Sequence, residues 1–176
     1  MKPEIMLFFA SVLLFPVLFI TGLQMFFIYL LVWADKIILG LFRPFRYFGV
    51  ELTTLAAVLA AIFYGPFVSF VLVLFLFTFL QSLRYTVFPV SVPEYPLFVP
   101  NPDGVIYALG GIIAGFMLPF GFGATVIVVV ITKYIMYIVM DMFLRKPPPV
   151  MGLIGGIAFH VAIIIPSGLA LMKILA

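Results

Sequence analysis

The chain has no cysteine in 176 residues. That excludes a disulfide framework, a thiolate metal site and a cysteine nucleophile. Charge is nearly as scarce: 9% of residues are charged, against about a quarter in an ordinary soluble domain. A disordered chain and a nucleic-acid-binding domain both depend on charge, so both are excluded. Catalytic signatures are missing as well. There is no Gly-x-Ser-x-Gly elbow, no His-Glu-x-x-His helix, no Walker loop and no carboxylate pair at metal-ligand spacing. An intramembrane enzyme would have to draw on Glu51, Asp103, Lys133, Asp141 and His160 alone. A non-enzymatic protein without metal or cofactor is therefore expected. What fills the chain is apolar: 66% of residues are hydrophobic and the mean hydropathy is +1.40. A folded sphere of this size could not hide so much apolar side chain from water, so a soluble protein is excluded.

The expected fold is an all-α integral membrane protein, a single compact bundle of about six transmembrane helices. A span needs about 20 apolar residues to cross roughly 30 Å of hydrocarbon. The first run, 5–32, is long for one span and predicts a tilted helix, or one kinked at Pro16 or Gly22. It is too long for the core of a cleaved signal. The stretch 33–49 mixes Asp35, Lys36, Arg43 and Arg46 with Ile, Leu and Phe, as an interfacial segment does. Further spans are expected over 51–64, 67–83, 105–120, 124–144 and 150–175. Gly65-Pro66 turns the second into the third, and Gly121 with Gly123 turns the fourth into the fifth. Five spans result if the second and third pack as a re-entrant hairpin. The loop 84–104 is stiffened by Pro89, Pro93, Pro96, Pro100 and Pro102, and loops of that length usually carry function or move.

Ionisable residues inside spans each cost several kcal/mol (about 2.5–3.5 on insertion scales) unless paired or hydrated. Lys133, Tyr137 and Asp141 fall at i, i+4 and i+8, so they share one face of the fifth span. Lys133 and Asp141 are about 12 Å apart along the axis, too far to pair directly. Their stripe reads either as a wall of a ligand pocket or ion path, or as a snorkelling lysine with an interfacial aspartate. His160, the one histidine, reaches a depth similar to Lys133 if the last two spans are antiparallel neighbours. It reads as a ligand or proton contact, or as a histidine bonded to a backbone carbonyl. Small residues four apart occur at Ala56 with Ala60, Gly111 with Gly115 and Gly152 with Gly156. They let helices approach closely, inside the bundle or against a partner subunit.

With six spans both termini share one side, with Lys2 and Lys173. Lys36, Arg43, Arg46, Arg84, Arg145 and Lys146 fall on the other. The positive-inside rule then puts the basic connections in the cytoplasm and the termini outside.

The stretch from Gly49 to Leu83, with its alanine-rich helix, Gly65-Pro66 turn and following helix, resembles the substrate-binding S components of energy-coupling factor (ECF) transporters. The stretch Gly104 to Gly115 resembles their fourth span. Rod-shape scaffold proteins of the MreD type have a similar small six-helix pattern. The ECF resemblance implies a vitamin- or metal-carrying subunit of the cell membrane. Such a subunit docks on a transmembrane coupling protein driven by two ATPases. It also implies a pocket open to the outside, built from the first loop, the third loop and the outer halves of the last three spans. Those places hold Arg43, Arg46, Arg84, Tyr85, Asn101, Asp103, Tyr137, Asp141 and His160. The family's alanines four apart on the first span are absent, and Ala56 with Ala60 stand in for them. The family's termini are cytoplasmic, opposite to the charge count. A carboxylate or phosphate ligand held by arginines would reconcile the two. The functions expected are thus an ECF-type binding subunit for a small anionic nutrient or, alternatively, a non-catalytic scaffold subunit of a larger membrane complex.

Overall fold

The computed structural model describes residues 3–42, 44–45, 48–88, 93, 95–144 and 150–175. Among these the chain is helical with no strand. Helix α1 is Pro3–Thr21 and α2 is Leu23–Trp33, the latter continued by a π-helical turn at Ala34–Ile38 and a 3-10 turn at Leu39–Leu41. Then come α3 (Thr53–Tyr64), α4 (Pro66–Val87), α5 (Pro102–Met117) and α6 (Phe122–Phe143). The last rod is α7 (Val150–Phe159), a second π-helical segment at His160–Ile164, and α8 (Ile165–Leu175). Five helical segments are long and apolar enough to span a bilayer: Leu23–Leu41, Pro66–Val87, Pro102–Phe120, Phe122–Phe143 and Val150–Leu175. The chain is therefore an all-α, multi-pass membrane protein. Helices Ile5–Thr21 and Thr53–Tyr64 are apolar but shorter.

The apolar run 5–32 is two helices rather than one tilted or kinked span, and the break falls at Gly22, one of the two expected kink positions. The chain folds back at Gly22, and α1 packs antiparallel on α2. Aromatic side chains hold the hairpin together: Phe19 meets Phe26 at 5.4 Å, Phe15 meets Tyr29 at 5.1 Å and Phe8 meets Trp33 at 6.4 Å between ring centroids. The Tyr29 hydroxyl donates to the Ser11 carbonyl at 2.8 Å, which satisfies a polar group that lipid could not.

This extra turn changes the topology. Phe8 of α1 lies 5.6 Å from Phe88, just past the end of α4. At the other end of the bundle, Gln24 Nε2 donates to the Leu175 carbonyl at 3.1 Å. The start of α1 and the end of α8 therefore lie at opposite ends of the bundle. The expectation that both termini share one side is corrected: the chain folds back at Gly22, which puts the start of α1 and the end of α8 at opposite ends. Asp35, Lys36, Arg84, Asp103 and Asp141 lie toward the end where α1 begins, whereas Lys173 lies at the other.

The core is the interface of α2, α3, α4, α5 and α6. Leu55, Leu59, Val58 and the alanines of α3 are fully buried against Ile28, Val32, Leu80 and Val126. Outward faces are apolar as lipid requires, with Ile20 83% and Phe143 84% exposed. The small-residue pairs are filled from within. Ala56 and Ala60 are fully buried in the core. Gly111 faces Ser69, whose hydroxyl donates to the Ala57 carbonyl at 2.8 Å, and Gly115 faces Pro66. Of the two uses open to them, packing inside the bundle and docking of a partner, these pairs have the first, so they are not free to serve as docking faces.

Gly152, Gly155 and Gly156 have a more particular use. The backbone from Phe48 to Leu52 is not helical, yet it runs into the bundle against α7. The Phe48 carbonyl sits where a Cβ of Gly155 would be, and Gly49, at φ +69°, lies against Gly152 and Gly156. Non-helical backbone at this depth is tolerated only where protein covers it or it lines a cavity. A glycine face on α7 is what lets it approach. Gly155→Ala would therefore push backbone against backbone and cost about 1–3 kcal/mol. Gly123→Ala, whose new methyl would meet only Ile165 at ordinary contact distances of 3.7 and 3.9 Å, is the matched control. Melting temperatures in detergent should fall for the first and hold for the second.

Candidate functional site

The inward run of Phe48–Leu52 carries Glu51 to the middle of the bundle, where four helices converge on its carboxylate. Thr54, on the first turn of α3, donates its hydroxyl to Oε1, and Lys133 of α6 donates its ammonium to the same oxygen. The Tyr107 hydroxyl of α5 donates to Oε2. His160, which opens the π-helical segment after α7, places Nε2 3.5 Å from Oε1. Its Nδ1 is 2.6 Å from the Gly156 carbonyl, and since a carbonyl only accepts, Nδ1 carries the proton in that bond. Glu51, Lys133 and His160 are all buried, Lys133 only 3% exposed and His160 1%.

A second charged node lies one layer away, on the π-helical turn that ends α2. Asp35 Oδ2 accepts from the Thr53 backbone N–H at 3.1 Å and from the Thr53 hydroxyl, and pairs with Lys36 Nζ at 2.9 Å. It caps the start of α3, a position where a carboxylate oxygen satisfies an otherwise orphaned N–H. Lys36 Nζ lies 4.2 Å from the centroid of the Phe77 ring and 4.5 Å from that of Tyr107. Lys133 Nζ lies 4.6 Å from the Tyr134 ring and 5.4 Å from Tyr107. Both ammonium groups thus sit on the negative faces of aromatic rings, which partly offset the loss of water. Both π-helical segments carry members of these two nodes, and single widened turns of this kind are frequent at functional sites.

Between the nodes and the end of the bundle lies a cavity of about 550 Å³. Its floor is formed by Lys36, Glu51, Tyr107, Lys133 and Tyr134. Arg84, Asp103, Tyr137 and Asp141 line it further out, with Gly40 and Met151. Arg84 is buried, donates from Nη1 to the Gly40 carbonyl at 3.0 Å, and lies 4.4 Å from the Tyr85 ring. It ties the turn after α2 to the end of α4. Asn101 caps α5 by accepting from the Gly104 N–H at 2.8 Å, and its Nδ2 donates to Gln81, another lining residue, at 3.1 Å. Asn101-Pro102 is a good start for a helix because Pro at the first turn lacks an N–H that would go unpaired.

Of the residues singled out in the sequence, Arg84, Asp103, Lys133, Tyr137 and Asp141 share this cavity. His160 stands behind Glu51, Asn101 stands behind Gln81, and Tyr85 supports Arg84 from the side. Arg43 and Arg46 lie outside the described residues. Sequence reasoning missed Asp35, Lys36, Glu51, Gln81, Tyr107 and Tyr134 as lining groups. Two signals pointed to some of them. Tyr107 follows Asp103 by four, so both fall on one face of α5, and Glu51 precedes Thr54 by three, the spacing of a local side-chain bond. Among the described residues no group of three His, Asp or Glu side chains is placed to hold a metal ion.

No family model, no curated protein and no solved structure matches the chain.

The Lys133–Glu51 pair supplies a direct test. Removing one member of a buried pair leaves an uncompensated charge and costs about 3–5 kcal/mol. Lys133→Met and Glu51→Gln should each lower the melting temperature sharply. The double variant should lose much less than the sum of the two, because no lone charge remains. A double-mutant cycle on the detergent-purified protein measures that coupling.

Proposed function

We propose that the chain is a membrane-embedded binding subunit of an ECF-type importer, which captures a small acid-bearing nutrient and passes it on without chemistry of its own. One observation carries this reading: a vitamin-sized cavity inside a transmembrane bundle, lined by three buried cationic side chains, Lys36, Arg84 and Lys133. A bundle built only to pack would fill such a space with apolar side chains, since buried charge is costly in lipid. Ligand pockets run about 300–1,000 Å³, and this cavity falls within that range.

The placement of the cavity supports the same reading. It lies between the segment after α2, the end of α4 and the cavity-side halves of α5, α6 and α7. The ECF resemblance implies a pocket in that position. Its partners would be a transmembrane coupling subunit and two ATPases, in the plasma membrane. In this reading the cavity end faces outward, and the basic residues near it serve a ligand's acid group rather than topology. A scaffold subunit is the other reading of the sequence. It rests on the small-residue pairs as docking faces, on the basic connections on one side and on the missing catalytic motif; the first of these supports is weakened, since Ala56, Ala60, Gly111 and Gly115 pack inside the bundle.

Gentle affinity purification of the tagged chain from its own membrane, with mass spectrometry of everything retained, tests the proposal. A multi-span coupling subunit, two ATPases and a bound small acid are expected. Lys36→Gln should retain about tenfold less of that acid, the loss expected when a charge-assisted hydrogen bond is removed, while expression is unchanged. Recovery of a different set of membrane subunits, with no small molecule from either protein, would overturn the proposal.

A further inference from the structure

We infer that the cavity takes a two-ended ligand, with an acid group at the floor near Lys36 and Lys133 and a cationic group toward Asp141. The inference rests on the reading of the cavity as a ligand site and adds the second pole.

The two floor carboxylates are consumed by the protein. Asp35 accepts from the Thr53 N–H, the Thr53 hydroxyl and Lys36. Glu51 accepts from Thr54, Tyr107 and Lys133. The floor lysines are not consumed. An ammonium carries three N–H donors. Lys36 gives one to Asp35 and Lys133 gives one to Glu51. Aromatic faces cushion the remaining charge, but an oxygen acceptor in the cavity completes it better. Both ammonium groups flank the Tyr107 ring, so they are no more than about 10 Å apart. The floor therefore suits a carboxylate or phosphate.

Asp141 presents the opposite case. It lines the cavity, is partly exposed, and makes no hydrogen bond or ion pair with any described residue. It lies on α6 eight residues beyond Lys133, about 12 Å further along the axis. A carboxylate in the wall of a cavity set within a membrane bundle favours a cation or a strong donor. A ligand that satisfies both ends has its charges on the order of 10 Å apart.

Triglycine is a suitable probe, since three extended residues span about 10 Å between amine and carboxylate. The full chain in detergent is melted with triglycine, with N-acetyltriglycine (acid only) and with triglycine amide (amine only). Triglycine should raise the melting temperature saturably. Either capped form should need at least about ten times the concentration for the same shift. Asp141→Asn should make triglycine and N-acetyltriglycine equivalent, and Lys36→Gln should weaken both. N-acetyltriglycine equal to triglycine in the unaltered protein would overturn the second pole and leave the acid-binding reading standing. Triglycine amide as the best of the three would overturn the floor assignment and the acid-bearing nutrient with it. No shift with any probe would overturn the two-ended ligand, while the co-purification experiment judges the proposed function separately.

Discussion

A carboxylate in the middle of a membrane protein needs partners, and most of this architecture answers that need for Glu51. Thr54, Tyr107, Lys133 and His160 reach it from four different helices. A shift of α6 along its neighbours would leave both Glu51 and Lys133 unpaired in a medium of low dielectric, and a shift of α3 or α5 would cost Glu51 a hydroxyl donor. Dispersion among Leu, Val, Phe and Ala holds the bundle together but tolerates sliding. Glu51 fixes register. The glycine face of α7 and the positive φ of Gly49 serve the same requirement, because they let the non-helical segment that carries residue 51 press into the bundle.

The same constraint produces the cavity. Helical backbone would have filled the space above Glu51 with side chains of its own. The chain instead leaves α2 through a widened turn and dips inward over Phe48–Leu52, beside a cavity lined further out by Arg84, Asp103, Tyr137 and Asp141. Two π-helical segments, Ala34–Ile38 and His160–Ile164, aim charged or titratable groups inward. A regular turn would have rotated those groups toward other neighbours.

Much of the fold was legible because lipid imposes simple rules. Hydropathy located most of the spans, Gly65-Pro66 and Gly121 marked real turns, and the i, i+4, i+8 stripe of Lys133, Tyr137 and Asp141 does face a cavity. The failure at Gly22 has a physical cause. A tight hairpin in lipid needs no polar loop, so the apolar run 5–32 shows no interruption that hydropathy can register. Thr21, Gly22 and Gln24 are the local hints; Gly22 suggested a kink rather than a reversal, and Gln24 pairs with the far end of the chain. The floor of the site was less legible. Asp35, Lys36 and Glu51 read as residues at the edges of apolar runs, where charge normally meets water. Only tertiary structure shows that those edges turn inward. The small-residue pairs were ambiguous for a related reason: spacing says that something approaches closely, never whether it belongs to the same chain.

The aromatic seam between α1 and α2 has one more consequence. Trp33 is the only tryptophan in the protein. Its Nε1 donates to Ser11 Oγ at 3.3 Å, Phe15 lies edge-on at 5.4 Å, and the next residues are the π-helical turn that holds Asp35 and Lys36. The molecule thus carries a single indole fluorophore at the hinge between its outermost hairpin and its charged interior. Any rearrangement of that turn alters the polarity around the indole, so the emission spectrum reports on the cavity floor without a label being added.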